Sequence, residues 1–273
     1  MRRMEKTTRR PRARLSAGPL AGATLVVTRP TGSAQSLKRR IRALAGSALG
    51  VPGMTLRSTA DPAQAKSALA AARDADCVIF VSPAAVKYAF ALRPGLRFAR
   101  STSICAVGAA TARALLRHGL RTVSWPRERQ DSEGLLALPE LAHLRGKHVI
   151  LIGAPGGREL LAQTLRARRA RVARIHVYER AAPRYSRRHF AALEQASPPL
   201  VTLVSSAEVL ANLRAVLPLD LFARLAAGDL VASSERLAVA ARESLFTNVH
   251  VAASASPRDL VAAAVAALAR HRL

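Results

Sequence analysis

The sequence has little of what a metal centre or a disulfide framework requires. It contains two cysteines and seven histidines in 273 residues. Cys77 and Cys105 each lie in a short apolar run, where a free thiol behaves as a small apolar side chain. We therefore expect no metal site, no disulfide and a reducing compartment, the cytoplasm.

Long hydrophobic runs are also absent. Half of the residues are apolar, yet the unbroken apolar runs are far shorter than the stretch of about eighteen residues that marks a membrane-spanning helix. The start of the chain, MRRMEKTTRRPRAR, carries seven Lys or Arg and one Glu, and no apolar stretch follows that would serve as a secretion signal. We expect a soluble protein without membrane contact, and a disordered basic tail over residues 1–20.

Acidic and aromatic residues are scarce. The chain has 43 Lys and Arg against 17 Asp and Glu, a formal net charge of +26, and 4% aromatic residues. Such a charge is typical of nucleic-acid-binding proteins, but outside the tail it is scattered and no known nucleic-acid-binding motif is evident. We expect no nucleic-acid partner and favour a polyanionic small molecule. A basic protein that binds nucleic acid or a membrane surface stays as a minor alternative.

The chain does contain two copies of one pattern. Three segments of the first half align, in order, with three of the second at offsets of 124, 123 and 126 residues: 25–41 with 149–165, 78–90 with 201–213, and 104–123 with 230–249. In the second pair, VIFVSPAAVKYAF lies over VTLVSSAEVLANL, so that Ser205 stands where Ser82 stands. The repeat predicts two domains of similar architecture.

Each copy alternates short unbroken apolar runs with segments whose apolar residues recur at helical spacing. This alternation predicts parallel strands covered by helices on both faces, an α/β fold with doubly wound sheets. Ligands of such sheets bind beyond the carboxyl ends of the strands, where N–H groups of the next helix point outward. Ser82 and Ser205 fall at such ends, although a lone serine there is more often only a helix N-cap.

Residues 24–270 resemble the uroporphyrinogen-III synthase family. The resemblance rests on motifs that follow one another along the chain: LVVTRP, DCVIFVSPAAV, AVGAATARAL, SEGLL, GGRELLAQTLRARRARVARIHVYER, VTLVSSAEVLANL, ASSERLAVAA and ASASPRDLVAA. Their joint order and spacing make the match specific. It implies a cyclising lyase of haem biosynthesis, which converts linear hydroxymethylbilane to uroporphyrinogen III with inversion of the last ring and loss of water.

The resemblance also implies the domain organisation. Two similar Rossmann- or flavodoxin-like domains are expected, with a cleft between them and a two-stranded extended linker. The implied bounds are 24–50 plus 182–273 for the first domain, 60–173 for the second, and 51–59 and 174–181 for the linker strands.

The implied chemistry requires no cofactor. Loss of hydroxide leaves an azafulvene, the terminal pyrrole attacks it, and the resulting spiro intermediate recloses with the ring inverted. The sequence has neither a Walker loop nor a GxGxxG motif that would bind a nucleotide. The expected partners are the polycarboxylate tetrapyrrole and, transiently, hydroxymethylbilane synthase, and we expect the chain to act as a monomer.

Tyr178 in HVYER aligns with the tyrosine that the family carries in its linker, which implies that its phenol assists hydroxide loss. Its alternative role is packing of the linker strand. The predicted substrate contacts are polar residues at strand-to-helix turns, cations that would pair with carboxylates, and glycines that admit the substrate close to the backbone: Ser82, Ser205, Thr111, Ser234, Arg29, Arg158, Gly156 and Gly157. For the hydroxyl residues the alternative is an N-cap, and for the arginines a solvated surface position.

Three positions depart from the pattern of the family. Val81 and Leu237 stand where threonine is common, and Arg169 stands where a glycine usually ends a helix. The two missing hydroxyl groups leave open a second class of function, a non-catalytic two-domain protein that binds a small anion.

Overall fold

The computed structural model describes residues 18–129, 131–156 and 159–271. They form two compact units. Unit 1 comprises the chain up to Thr55 and again from Ala182 onward, and unit 2 comprises Leu56–Ala181. Residues 1–17, most of the predicted basic tail, lie outside the described residues.

The strands are short, and most of them are buried. In chain order they are β1 (Thr24–Val27), β2 (Ser47–Gly50), β3 (Thr55–Ser58), β4 (Cys77–Phe80), β5 (Ser103–Ala106), β6 (His148–Gly153), β7 (Arg171–His176), β8 (Tyr178–Ala181), β9 (Leu200–Val204), β10 (Asp229–Ala232) and β11 (Asn248–Val251).

The helices connect successive strands. In chain order they are α1 (Gln35–Ala43), α2 (Pro62–Ala71), α3 (Pro83–Leu92), α4 (Ala109–Arg117), α5 (Ser132–Leu136), α6 (Glu159–Ala167), α7 (Arg187–Glu194), α8 (Ala207–Val216), α9 (Leu219–Ala226), α10 (Glu235–Glu243) and α11 (Pro257–Arg270). Within the described ranges, none of them is both long enough and apolar enough to cross a membrane.

Each unit contains a parallel sheet. In unit 1 the order is β11-β10-β9-β1-β2, and in unit 2 it is β5-β4-β6-β7. The edge of the second sheet is extended by a parallel bridge between Cys105 and Ser124. A separate two-stranded sheet pairs β3 with β8. The predicted α/β fold with parallel sheets is therefore confirmed.

The two sheets follow the sequence repeat. The aligned copies equate β1 with β6, β4 with β9 and β5 with β10, and the equated strands occupy the same places in the two orders. Each sheet nevertheless contains strands of both copies: in unit 1, β1 and β2 of the first copy join β9, β10 and β11 of the second through the pairing of β1 with β9. The two units therefore have the same strand order, but each unit is built from segments of both copies of the repeat.

Alternate residues of the strands pack against helices on opposite faces. In β4 of unit 2, Val78 and Phe80 share a core cluster with Val86 of α3 and Leu115 of α4. Cys77 and Ile79 belong instead to a cluster with residues of α5 and α6. Because both faces are covered, β4 is continuously apolar, as the sequence predicts. Full burial of one such aliphatic side chain contributes about 1.5–3 kcal/mol relative to exposure.

In unit 1 a buried carboxylate contacts two histidines, one of them directly after the last helix. Asp229 begins β10, and its Oδ1 lies 2.7 Å from Nε2 of His250 in β11. His271, which follows α11, places its Nε2 3.0 Å from Oδ2 of the same carboxylate. Two imidazoles therefore satisfy a group whose burial without partners would be costly. Sequence reasoning did not identify this cluster.

Arg169 has a backbone conformation that favours glycine. Its φ is 62°, in the left-handed region, which costs a residue with a Cβ about 1–2 kcal/mol. The residue follows α6 and is the position where the resemblance leads one to expect glycine. The departure from the family therefore lowers the stability of this helix end rather than altering its course.

We expect Arg169→Gly to stabilise the protein by about 1 kcal/mol, because glycine adopts this φ without steric strain. The matched control is Arg166→Gly in the last turn of α6, which we expect to destabilise by up to about 1 kcal/mol. Urea unfolding of the three proteins measures both effects. A loss of stability in Arg169→Gly would show that side-chain contacts of Arg169 outweigh the strain.

Candidate functional site

The carboxyl edge of the sheet in unit 2 is formed where β4 ends. The chain turns at Ser82, which has an extended backbone and caps α3 by accepting a 3.0 Å hydrogen bond from the N–H of Ala85. Pro83 occupies the first position of the helix, where its missing N–H is not needed. Ser82 is therefore an N-cap. The cap engages its oxygen as an acceptor and leaves the hydroxyl hydrogen for another bond.

Tyr178 brings a second predicted residue to the same place. It begins β8, is 4% exposed, and packs in the apolar cluster that covers α3. Its hydroxyl oxygen lies 3.2 Å from Oγ of Ser82, a residue 96 positions away in the chain. Both residues belong to unit 2, and the contact joins the two hydroxyl groups that the sequence singled out for different reasons.

The hydrogen bonds at this pair leave one proton free. Either hydroxyl group can be the donor in this contact. In one of the two arrangements Ser82 Oγ accepts from Ala85 and donates its own hydrogen to the oxygen of Tyr178. The phenolic hydrogen of Tyr178 is then available to a third group. The pair therefore has the bonding of a proton donor whose developing negative charge is stabilised by a neighbouring hydroxyl group.

Tyr88 is a neighbour that sequence reasoning missed. It lies on α3, its ring stacks on that of Tyr178 with centroids 5.5 Å apart, and its hydroxyl donates a 2.6 Å hydrogen bond to the carbonyl of Leu56 in β3. In the sequence Tyr88 follows the apolar pattern of α3, which predicts only that it packs against the core. Only the scarcity of tyrosine, three in the whole chain, singles it out.

Of the other predicted residues of unit 2, Gly156 lies three residues after the end of β6. Gly156 has a φ of 68°, a backbone conformation that favours glycine. Gly157 and Arg158 lie outside the described residues. Thr111 is not at a turn, contrary to the prediction: Gly108 is the N-cap of α4, and Thr111 is buried within the first turn of that helix.

In unit 1 the N-cap of α8 is the residue after Ser205, so the alternative role of Ser205 as a cap is wrong. Because β9 has five residues where β4 has four, the residue immediately before α8 is Ser206. The hydroxyl of Ser205 makes no hydrogen bond to any residue in the described part of the chain. Ser234 caps α10, the alternative role considered for it, with a long 3.4 Å bond from the N–H of Leu237.

Arg29 follows the first strand of the same sheet. It is half-buried, and its guanidinium donates to the carbonyl of Ala255. Burial lowers the pKa of Arg29, which means that its charge lacks full solvation. Within residues 18–129, 131–156 and 159–271, no carboxylate pairs with it. An incoming anion would therefore meet a cation that no carboxylate among these residues already neutralises.

The positions that depart from the family are filled by apolar side chains. Val81 is half-buried beside Gly153, and a Cβ added to that glycine would meet Val81 Cγ2 at 2.6 Å. Leu237 is 5% exposed. Neither supplies a donor, so the hydroxyl groups between strand and helix at these two turns come from Ser82, Ser233 and Ser234.

The described residues contain no group of three or more His, Cys, Asp or Glu side chains arranged to hold a metal ion. The polar groups named above at the carboxyl ends of the strands are hydroxyl groups, the guanidinium of Arg29 and helix N-termini. Such groups donate hydrogen bonds to anions, and a phenol among them can also deliver a proton.

Comparison with known proteins identifies relatives over almost the whole chain. A sequence profile described as uroporphyrinogen-III synthase HemD matches residues 35–262. The uroporphyrinogen-III synthase of Escherichia coli (strain K12) is 32% identical over 243 residues, which cover 88% of this chain and 99% of that protein. The enzyme of the same name from Salmonella typhimurium matches with the same identity and the same coverage.

Solved structures share the fold. A mutant uroporphyrinogen III synthase from the extremely thermophilic bacterium Thermus thermophilus superimposes with a TM-score of 0.54 and 19% identity, over 91% of this chain and 99% of that one. A uroporphyrinogen-III synthetase from Helicobacter pylori 26695 gives a TM-score of 0.53 with 14% identity, over 89% and 99% of the two chains. With the profile match and the sequence relatives, these likenesses lead to one conclusion: the chain belongs to the uroporphyrinogen-III synthase family.

Proposed function

We propose that this chain is a uroporphyrinogen-III synthase in which Tyr178, supported by Ser82, delivers the proton that lets hydroxide leave. The activity follows from family membership over residues 35–262. The observation that carries the residue assignment is the 3.2 Å contact between the two hydroxyl groups. The chain would convert hydroxymethylbilane to uroporphyrinogen III.

The first task of such an enzyme is orientation. The linear substrate also closes unaided, to the isomer whose last ring is not inverted. The protein must therefore determine which carbon of the terminal pyrrole meets the electrophile, which is catalysis by positioning. Arg29, Gly156, Ser205 and Ser234 are proposed to hold the carboxylates and pyrroles, together with N–H groups at the adjoining helix N-termini. Thr111 is 3% exposed within α4, so little of its side chain is accessible to the substrate.

The second task is departure of the hydroxyl group. Tyr178 donates its phenolic proton to the leaving oxygen, so that water departs and the azafulvene forms. Ser82 donates to the phenol oxygen at the same time and stabilises the negative charge that develops there. The proton that the terminal pyrrole loses on ring closure restores the phenol. Water is the only by-product and no electrons are exchanged, so the reaction balances without a redox cofactor.

The setting of the reaction is a further part of the proposal. Cys77 and Cys105 are free thiols whose sulfur atoms are 4.0 Å apart, which fits a reducing compartment such as the cytoplasm. We propose that a single chain acts alone and takes its labile substrate from hydroxymethylbilane synthase in a transient contact.

We expect Ser82→Ala to lower turnover about tenfold, because the charge-assisted hydrogen bond to Tyr178 is lost. The same change removes an N-cap and should cost about 1 kcal/mol of stability. Asp61→Ala is the matched control, since Asp61 caps α2 of the same unit through a 2.8 Å bond from the N–H of Gln64. It should cost similar stability and no turnover. Equal turnover in both variants would show that Ser82 acts only as a helix cap and does not assist Tyr178.

The direct test of the activity is to incubate the purified chain with freshly generated hydroxymethylbilane and to identify the isomer formed. The proposal predicts uroporphyrinogen III at a rate proportional to enzyme concentration. A chain that binds the tetrapyrrole but leaves the isomer and the rate of closure unchanged would be the non-catalytic anion binder instead.

A further inference from the structure

Tyr88 contacts the ring of Tyr178, not its hydroxyl group. The ring centroids are 5.5 Å apart and the ring planes differ by 20°, an arrangement of the stacked type. The hydroxyl of Tyr88 is bonded to the carbonyl of Leu56 at 2.6 Å, in the strand that pairs with β8. Tyr88 therefore joins the helix that begins after Ser82 to the small sheet that carries Tyr178.

We propose that Tyr88 is a positioning residue, which holds the phenol of Tyr178 in the orientation that reaches both Ser82 and the departing hydroxyl group. The inference rests on the proposed function, because it takes Tyr178 as the proton donor. Ser82 fixes only the oxygen end of the phenol. The stacked face of Tyr88 restricts the plane of the ring, and the two contacts together define where the phenolic hydrogen points.

Tyr88 does not supply the proton itself. Its one hydroxyl hydrogen is donated to the carbonyl oxygen of Leu56, and a carbonyl has no proton to give in return. Burial raises the pKa of Tyr88, and the neighbouring Tyr178 raises it further. Tyr88 therefore stays neutral around neutral pH, and it orients the adjacent phenol without competing for its proton.

The expected effect of losing the stacked ring is on turnover rather than on binding. Misplacement of a reacting group by about 1 Å can cost up to about a hundredfold in rate. We expect Tyr88→Leu to lower kcat about tenfold with little change in KM, since the contact of the ring is with the proton donor Tyr178. Tyr88→Phe keeps the ring and should recover most of the rate.

The test is a double-mutant cycle that follows uroporphyrinogen III formation. Tyr88→Leu is made in the parent chain and in Tyr178→Phe, and it should lower kcat in the first and leave the second unchanged, because no donor remains to be oriented. An equal loss in both backgrounds would overturn the positioning role while leaving Tyr178 as the donor. Full activity of Tyr178→Phe alone would overturn the proposed donor, and the positioning role with it.

A second aromatic residue of α3 provides the control. Phe90 stacks on His118 with ring centroids 4.0 Å apart and lies in the same core cluster. We expect Phe90→Leu to lower the melting temperature without lowering kcat. If Phe90→Leu lowers kcat as much as Tyr88→Leu does, the effect belongs to the helix as a whole and the inference fails. Should Tyr88→Leu not fold, Tyr88→Met takes its place in the same cycle.

Discussion

A Tyr178→Phe variant is expected to form uroporphyrinogen III about a hundredfold more slowly than the parent chain, because a positioned proton donor contributes at least that factor. The loss corresponds to about 2.7 kcal/mol in the activation free energy. KM should change little, since phenylalanine keeps the ring that stacks on Tyr88 and packs in the core. Steady-state kinetics with freshly generated hydroxymethylbilane gives both constants.

Tyr185→Phe is the matched control for this prediction. Tyr185 lies in unit 1, where its hydroxyl donates a 3.0 Å hydrogen bond to the carbonyl of Pro52. Its loss should cost stability of about 1 kcal/mol and leave kcat unchanged. Equal rates for the parent and Tyr178→Phe would remove Tyr178 from the chemistry and return it to the role of a packed strand residue.

Arg29→Leu is expected to raise KM about tenfold or more while changing kcat much less. The guanidinium is half-buried and has no carboxylate partner in the described part of the chain, so a substrate carboxylate would form a strong charge-assisted contact with it. Removing an interaction present in both the ground state and the transition state raises KM without lowering kcat. Initial rates over a range of substrate concentrations separate the two constants.

Two further variants determine whether the effect of Arg29 is specific. Arg40→Leu removes the same charge from an exposed position of α1 in unit 1, and it should leave KM unchanged. Arg29→Lys keeps the charge but loses the planar fork, so its KM should lie between those of the parent and Arg29→Leu. If Arg29→Leu and Arg40→Leu behave alike, net charge and not a defined contact attracts the substrate.

The sequence predicts the sheets better than it predicts the turns between strands and helices. Apolar runs and an internal repeat are properties of whole segments, so the predicted α/β architecture does not depend on any one residue. The identity of a cap depends on a single position. One additional residue in β9 moves the N-cap from Ser205 to Ser206, and a turn at Gly108 places Thr111 inside α4.

The features of the site that were not predicted from the sequence are contacts between segments that are distant along the chain. Ser82 and Tyr178 were predicted separately, but their contact spans 96 positions and depends on how β8 passes α3. The role of Tyr88 is visible only once its ring meets Tyr178 and its hydroxyl meets Leu56. By contrast, the family resemblance did indicate the unfavourable φ of Arg169. Glycine is usual at this position in the family, and glycine is the residue that ends helices with a positive φ.

In the proposed mechanism, binding geometry selects the isomer, whereas Tyr178 sets only the rate. The measurement that tests it most directly is the fraction of uroporphyrinogen III in the product, followed against enzyme concentration for the parent chain and for Tyr178→Phe. We predict that both curves rise to nearly complete formation of uroporphyrinogen III, with Tyr178→Phe requiring about a hundredfold more enzyme. A parent curve that stays at the uninverted isomer at every enzyme concentration would contradict the account.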